Sequence, residues 1–192
     1  MNAIQREIRY ESDRDPAFAD AIRKMPGCEA IDRCIQCATC SGICPVASYM
    51  DITPRRIIEL TRSGFKDDVL KSNTIWICAS CYACQVECPK EIGISDVMMA
   101  LKTKAIAEGT YPKGMPIPIL AQEFHAMVSQ TGRVSESKLV QKLYLKTNPF
   151  KMFGLRRLGL KLMKTGRMSL KGESMKRPES LQKMLQAARI KK

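Results

Sequence analysis

The chain has 192 residues and a formal net charge of +13, with 32 Lys and Arg against 19 Asp and Glu. A single histidine excludes a histidine-built metal site, and 6% aromatic residues leave no stacking platform for nucleic acid. No apolar run reaches the ~18 residues of a spanning helix, and the polar stretch Met1–Arg14 lacks the apolar core of a signal peptide, so the expectation is a cytoplasmic chain without a membrane span.

The charge is unevenly placed. Residues 1–132 carry 15 Lys and Arg against 16 Asp and Glu, whereas residues 133–192 carry 17 against 3. This predicts a near-neutral domain over 15–132, preceded by an N-terminal arm at 1–14. A basic helical extension over 133–192 follows.

Asp15-Pro16 is a helix start, a capping carboxylate followed by proline in the first turn. Ala17, Phe18, Ala21, Ile22 and Met25 then recur at helical spacing, and Gly27 is a stop. Cys28 lies outside any motif and reads as a small buried apolar residue.

The next stretch organises the chain. Cys34-x-x-Cys37-x-x-Cys40-x-x-x-Cys44-Pro45 is repeated as Cys78-x-x-Cys81-x-x-Cys84-x-x-x-Cys88-Pro89, using eight of the nine cysteines. This is the spacing of bacterial two-cluster ferredoxins, in which the fourth cysteine of each run ligates the other cluster. On that pattern Cys34, Cys37, Cys40 and Cys88 hold one [4Fe–4S] cluster, and Cys78, Cys81, Cys84 and Cys44 hold a second. Structural zinc usually takes two cysteines from each of two knuckles, and disulfides suit a secreted mini-domain, so both fit less well. Small residues between the cysteines allow close backbone approach, and Gly42 allows a turn that larger residues resist.

The connector over 46–77 decides the fold class. Thr53-Pro54 is a second helix start, Ile57, Ile58, Leu60 and Thr61 follow, and Gly64 is a stop. Asp67, Asp68, Val69 and Leu70 suit another short helix. Neither segment alternates as a half-buried strand would, so the prediction is all-α, a helical ferredoxin-type domain. Trp76 is expected in the core, and Tyr82, inside the second cysteine run, is expected to shield a cluster from water.

Beyond the second run, a helix is predicted from Ser95-Asp96 to Gly109, with Ile94, Val97, Met98, Leu101 and Ala105 on its apolar face. Tyr111–Pro118 reads as an extended connector and Ile119–Gln130 as a helix ending near Gly132, with the lone His125 in a structural role. In the basic extension, three apolar faces are predicted: Leu139, Val140, Leu143 and Tyr144; then Met152, Leu155, Leu158 and Leu162; then Leu181, Met184, Leu185 and Ala188. Gly154, Gly159, Gly166 and Gly172 interrupt them. Such faces suit docking to a protein partner better than a solvated surface, a membrane surface or nucleic acid.

There is no Gly-rich dinucleotide loop, flavin motif, paired-carboxylate set or nucleophile–base pair. A chain with clusters and no catalytic constellation reads as an electron-transfer subunit. The segments Arg33-Cys-Ile-Gln-Cys-Ala-Thr-Cys-Ser-Gly-Ile-Cys-Pro and Ile75-Trp-Ile-Cys-Ala-Ser-Cys-Tyr-Ala-Cys-Gln-Val-Glu-Cys-Pro resemble the iron–sulfur C subunit of the soluble heterodisulfide reductase of methanogenic archaea, chiefly over residues 15–110. The resemblance implies a relay of electrons from a flavin-bearing partner to a catalytic partner that reduces the CoM-S-S-CoB heterodisulfide in methanogenesis. A hydrogenase or formate dehydrogenase is the implied source. The chain has no adjacent Cys-Cys pair, the mark of the disulfide-reducing partner, so no catalytic residue is expected in it. The alternatives are the iron–sulfur subunit of a fumarate reductase or glycolate oxidase type enzyme, a free ferredoxin, and a structural-metal module.

Overall fold

The computed structural model describes residues 8–112, 115–166 and 175–190. Among these residues there are twelve α-helices, a few 3-10 turns and no strand, in agreement with the all-α expectation. The helices are α1 (Pro16–Arg23), α2 (Thr39–Gly42), α3 (Pro54–Ser63), α4 (Lys66–Lys71), α5 (Thr74–Ile77) and α6 (Ala83–Val86), then α7 (Ile94–Glu108), α8 (Pro116–Thr131), α9 (Glu136–Thr147), α10 (Pro149–Gly154), α11 (Arg156–Lys164) and α12 (Pro178–Ile190). They form two compact units, Met1–Pro112 and Lys113–Lys192.

In the first unit α1 starts as its sequence dictates. The Asp15 carboxylate accepts from the Phe18 N–H at 3.1 Å, and Pro16 occupies the first turn, where no N–H is required. The start of α1 is tied to the end of α3, since the Asp15 N–H donates to the Gly64 carbonyl at 2.8 Å. Gly64 ends α3 with φ +84°, and a Cβ there would stand 2.8 Å from the Asp15 carbonyl oxygen. Both the left-handed backbone and the close approach therefore require glycine. Thr53 precedes α3 as expected but makes no capping bond with its side chain.

The core gathers around α7. Val97, Met98, Ala100, Leu101 and Ala105 are buried on it, facing α1, α3, α4, α5 and α6. A helix enclosed on several sides buries more than one stripe, which is why Ser95 and Ala100 join the predicted face. Ile22, Ile57, Ile58, Leu70 and Ile75 close the core. Burying a side chain of this size is worth about 1.5–3 kcal/mol. Cys28 is fully buried among them, and burial, with Asp96 and Glu29 nearby, pushes its thiol up to about 11. Trp76 is buried as expected and meets Tyr111 edge to face, with ring centroids 6.2 Å apart. Lys66 of α4 and Lys104 both pair with Glu108 at the last turn of α7, at 2.8 and 3.1 Å.

One connection is set by the Asp51 carboxylate. It accepts from the Thr74 and Ser72 hydroxyls at 2.7 Å each and from the N–H groups of Ile52, Asn73 and Thr74. This locks the loop after the first cysteine run onto the start of α5, which leads into the second.

In the second unit, α8 starts at Pro116, so the stretch expected to be an extended connector to Pro118 is already helical at its end. Pro116 sits in the first turn and Pro118 two residues on, where the missing N–H groups are among those a helix leaves unpaired anyway. The charge pattern places α8 with the cluster-bearing part, over 15–132; in the structure α8 packs with α9 and α12 and belongs to the second unit. Glu123 of α8 is buried and pairs with Lys142 and Lys146 of α9. His125 is exposed on α8. On α9, Leu139 is buried while Val140 is exposed; on α11, Leu158 is exposed and Leu162 half-buried, and Leu155 just before it is exposed, so most of that predicted face lies open. On α12, Leu181 and Leu185 are half-buried and Met184 is exposed. Residues 1–7 of the arm, the Met152 side chain and Gly172 lie outside the described residues. Among those residues no helix is long and apolar enough to cross a membrane.

Candidate metal centres

The two cysteine runs fold alike. Cys34 follows a 3-10 turn and Cys78 follows α5; both turn the chain out of the helix, with ψ 119° and 115°. Left-handed backbone then occurs at Gln36 and Ala38 in the first run and at Ser80 and Tyr82 in the second, with φ between 51° and 70°. These positions correspond across the repeat. Left-handed residues two apart bend each run sharply around its cysteines. None of the four is glycine, and a single left-handed residue costs about 1–2 kcal/mol. The same strain recurs at matching places in both copies, so it belongs to the site. A short helix follows in each run, α2 carrying Cys40 and α6 carrying Cys84, and these two helices pack together.

Each run lines one cavity and lends its last cysteine to the other. One cavity is lined by Cys34, Cys37, Cys40 and Cys88, with Gln36, Arg55, Ile58, Lys90, Ile92 and Ile94 among its walls. A second is lined by Cys44, Cys78, Cys81 and Cys84, with Met50, Pro54, Tyr82, Ile94, Ser95 and Met98. Ile94, at the start of α7, lines both. Each cavity is thus lined by four cysteines, three from one run and the last of the other. Cys37 and Cys81 are exposed, Cys40 is buried, and the other five are half-buried.

Each run is braced by one cation at the carbonyl of its first cysteine. Arg62 donates to the Cys34 carbonyl at 2.8 Å, and Lys102 donates to the Cys78 carbonyl at 3.0 Å. Other polar contacts differ between the sites. Gln36 Nε2 donates to Cys34 Sγ at 3.3 Å, and the Gln36 Oε1 atom accepts from Arg55 at 3.1 Å. Thr39 Oγ1 and Cys37 Sγ share a hydrogen bond of 3.3 Å, which draws the Cys37 thiol below its ordinary range. The corresponding residues of the second run, Ser80 and Ala83, make no such bond. Burial pushes the Cys40 and Cys84 thiols up. Ser95 Oγ is buried at the second cavity beside Cys84, and its hydroxyl draws that thiol down against the larger upward push of burial.

These features suit an iron–sulfur cluster. Four thiols line each cavity, three from one run and one from the other, and left-handed residues recur at matching places in both runs. Among the described residues no three ligating side chains converge closely enough for a single metal ion. Tyr82 lines the second cavity with half its surface open to water, so it covers only part of the mouth. The sequence alone does not mark Arg55, Lys90 or Ser95 as residues of the site. None of them belongs to a cysteine run, and only the packing of α3, α7 and the turn after Cys88 brings them to the cavities.

Residues 30–92 match the family model described as a 4Fe-4S dicluster domain, so this part of the chain is a helical dicluster ferredoxin-type domain and its cofactor chemistry is iron–sulfur. The chain is 34% identical, over 57% of its length, to the C subunit of the H(2):CoB-CoM heterodisulfide,ferredoxin reductase of Methanothermobacter marburgensis, and spans 60% of that protein. It is 33% identical over 52% of its length to the C subunit of the Ferredoxin:CoB-CoM heterodisulfide reductase of Methanosarcina acetivorans, spanning 41% of it. With the iron-sulfur C subunit of the CoB--CoM heterodisulfide reductase of Methanopyrus kandleri it shares 31% identity over 54% of its length, spanning 57%. The chain therefore spans between about two fifths and three fifths of the length of these curated relatives.

Proposed function

We propose that the chain is the iron–sulfur electron-transfer subunit of a cytoplasmic heterodisulfide reductase. In this reading it relays electrons from a flavin-containing subunit to the subunit that reduces the CoM-S-S-CoB heterodisulfide. The single observation that carries the reading is the pair of crossed, thiol-lined cavities sharing the wall residue Ile94. Two [4Fe–4S] clusters, one on Cys34, Cys37, Cys40 and Cys88 and one on Cys78, Cys81, Cys84 and Cys44, fit those donor sets. When bound, each supplies reversible one-electron exchange and no substrate chemistry.

The chain's own residues do the rest. Ile58, Ile92, Ile94 and Met98 exclude water, and Arg62 and Lys102 fix the first cysteine of each run. The exposed Cys37 and Cys81 put one edge of each site at the surface, where a partner's redox group can approach. The names of the similar proteins support a heterodisulfide reductase over a fumarate reductase or glycolate oxidase type enzyme.

The test is anaerobic purification from the source cells with iron, sulfide and flavin analysis of whatever accompanies the chain. The expected result is a complex containing a flavoprotein and a subunit with paired adjacent cysteines, whose heterodisulfide reduction is lost when this chain is removed. Full activity without it, or zinc in place of iron, would defeat the reading.

A further inference from the structure

The two sites share a backbone path but differ in charge. Arg55 lines the Cys34 cavity, is half-buried, and makes no ion pair among the described residues. Its guanidinium donates to Gln36 Oε1, which turns the Gln36 amide N–H onto Cys34 Sγ. Thr39 adds a second side-chain contact to sulfur at Cys37, and Lys90 adds an exposed cation to the wall.

Among the described residues no charged side chain lines the Cys78 cavity, whose walls include Met50, Pro54, Tyr82, Ile94 and Met98, with the Ser95 hydroxyl beside Cys84. Lys102 reaches the Cys78 carbonyl from outside it, as Arg62 does at Cys34, where Asp32 offsets part of the Arg62 charge at 3.6 Å. The braces thus favour the Cys78 site slightly, but a lining, half-buried cation and the amide it polarises act from closer in. Charge in a partly desolvated wall is screened far less than at the surface. Hydrogen bonds to ligand sulfur and nearby positive charge both stabilise a reduced cluster, which carries one more negative charge.

We propose that Arg55, acting directly and through Gln36, makes the Cys34 site the more easily reduced of the two, so that a single electron held by this chain rests there. This inference rests on the two-cluster reading. One electron from a low-potential one-electron donor is taken up; no bond is made or broken and no proton moves. In a relay this makes the Cys78 site the entry and the Cys34 site the exit. Arg55 is a positioning and charge-setting residue.

The experiment is an anaerobic redox titration of the reconstituted full-length chain, followed by electron paramagnetic resonance, alongside iron and sulfide analysis. In the parent chain two midpoints are expected. Arg55→Met is expected to lower the higher midpoint and to reduce the preference for the first-reduced site roughly tenfold, the size expected of one half-buried charge. Arg55→Lys, which keeps the charge, is expected to recover most of the shift, while Lys102→Met is expected to lower the lower midpoint instead. Should Arg55→Met fail to hold iron, Gln36→Leu carries the test and is expected to shift the same midpoint by a smaller amount. Full iron with unmoved midpoints, or a shift confined to the lower one, overturns the proposal and leaves the two-cluster reading standing. No cluster in the parent chain overturns both.

Discussion

Replacing Cys88 by serine tests the crossed arrangement directly. Cys88 follows Cys84 by four residues, yet it lines the cavity of Cys34, Cys37 and Cys40, while the cavity of its own run is completed by Cys44. On the two-cluster reading a fully loaded chain holds about eight iron atoms, four to each cluster. Cys88→Ser is therefore expected to lower bound iron and acid-labile sulfide by about half, with the loss at the Cys34 site. Pairing the substitution with a second one identifies the site that is lost. Adding Cys37→Ser to Cys88→Ser should cost nothing more, because both act on one cavity, whereas adding Cys81→Ser should remove the remaining iron. Cys44→Ser should give the mirror result. Residues acting on one shared site are non-additive and those on separate sites add, so the double variants discriminate where single ones do not. If Cys88→Ser with Cys81→Ser kept half the iron, and Cys88→Ser with Cys37→Ser kept none, each run would hold its own cluster and the reasoning from the cavities would fail.

Gly64→Ala should lower stability by about 1–3 kcal/mol, since it forces alanine into left-handed backbone against the Asp15 carbonyl; urea unfolding of the loaded chain measures it, and a change below about 0.5 kcal/mol would contradict the packing. Cys28→Ala should keep the full iron content and cost about 1 kcal/mol, as expected of a buried thiol that ligates nothing; loss of iron would give Cys28 a role it lacks in the structure. The Asp51 carboxyl is pushed up by partial burial but pulled further down by hydrogen bonds from Thr74, Ser72, Asn73 and Ile52, so its net position is below the usual carboxylate range. A lowered folded value means that its stabilisation is full above the unfolded value near pH 4 and disappears as pH falls through the folded one. Asp51→Ala should thus cost about 1–2 kcal/mol at pH 7, limited by exposure of the carboxylate, and progressively less below pH 4, as read by unfolding across pH.

Much of the cluster-bearing part is legible in the sequence because its signals are local. Asp15-Pro16 caps α1, Gly64 and Gly109 end α3 and α7 in left-handed backbone, and the repeated cysteine spacing brings out two sets of four thiols. What stays hidden depends on contacts between distant segments. The reach of Arg55 to Gln36 needs α3 to lie beside the first cysteine run. The start of α8 is obscured because Pro116 and Pro118 look like loop residues, although a first turn has no use for their N–H groups. His125 carries no local sign of which side of α8 it occupies, and the structure places it outside. The open face of α11 has a strong apolar pattern, and such a pattern states that something should cover it without stating what.

The crossed cavities also bear on how the protein is made. During synthesis the first cysteine run leaves the ribosome long before Cys88, so the Cys34 cavity lacks a wall until the second run has followed. The Cys78 cavity, needing Cys44 from the first run, is complete one step earlier, at Cys84. Neither cavity can be completed by a nascent chain that stops in the connector, which supplies three of the four thiols of the first and only Cys44 of the second. The order of the cysteines along the chain thereby ties completion of either four-thiol set to translation of both copies of the repeat.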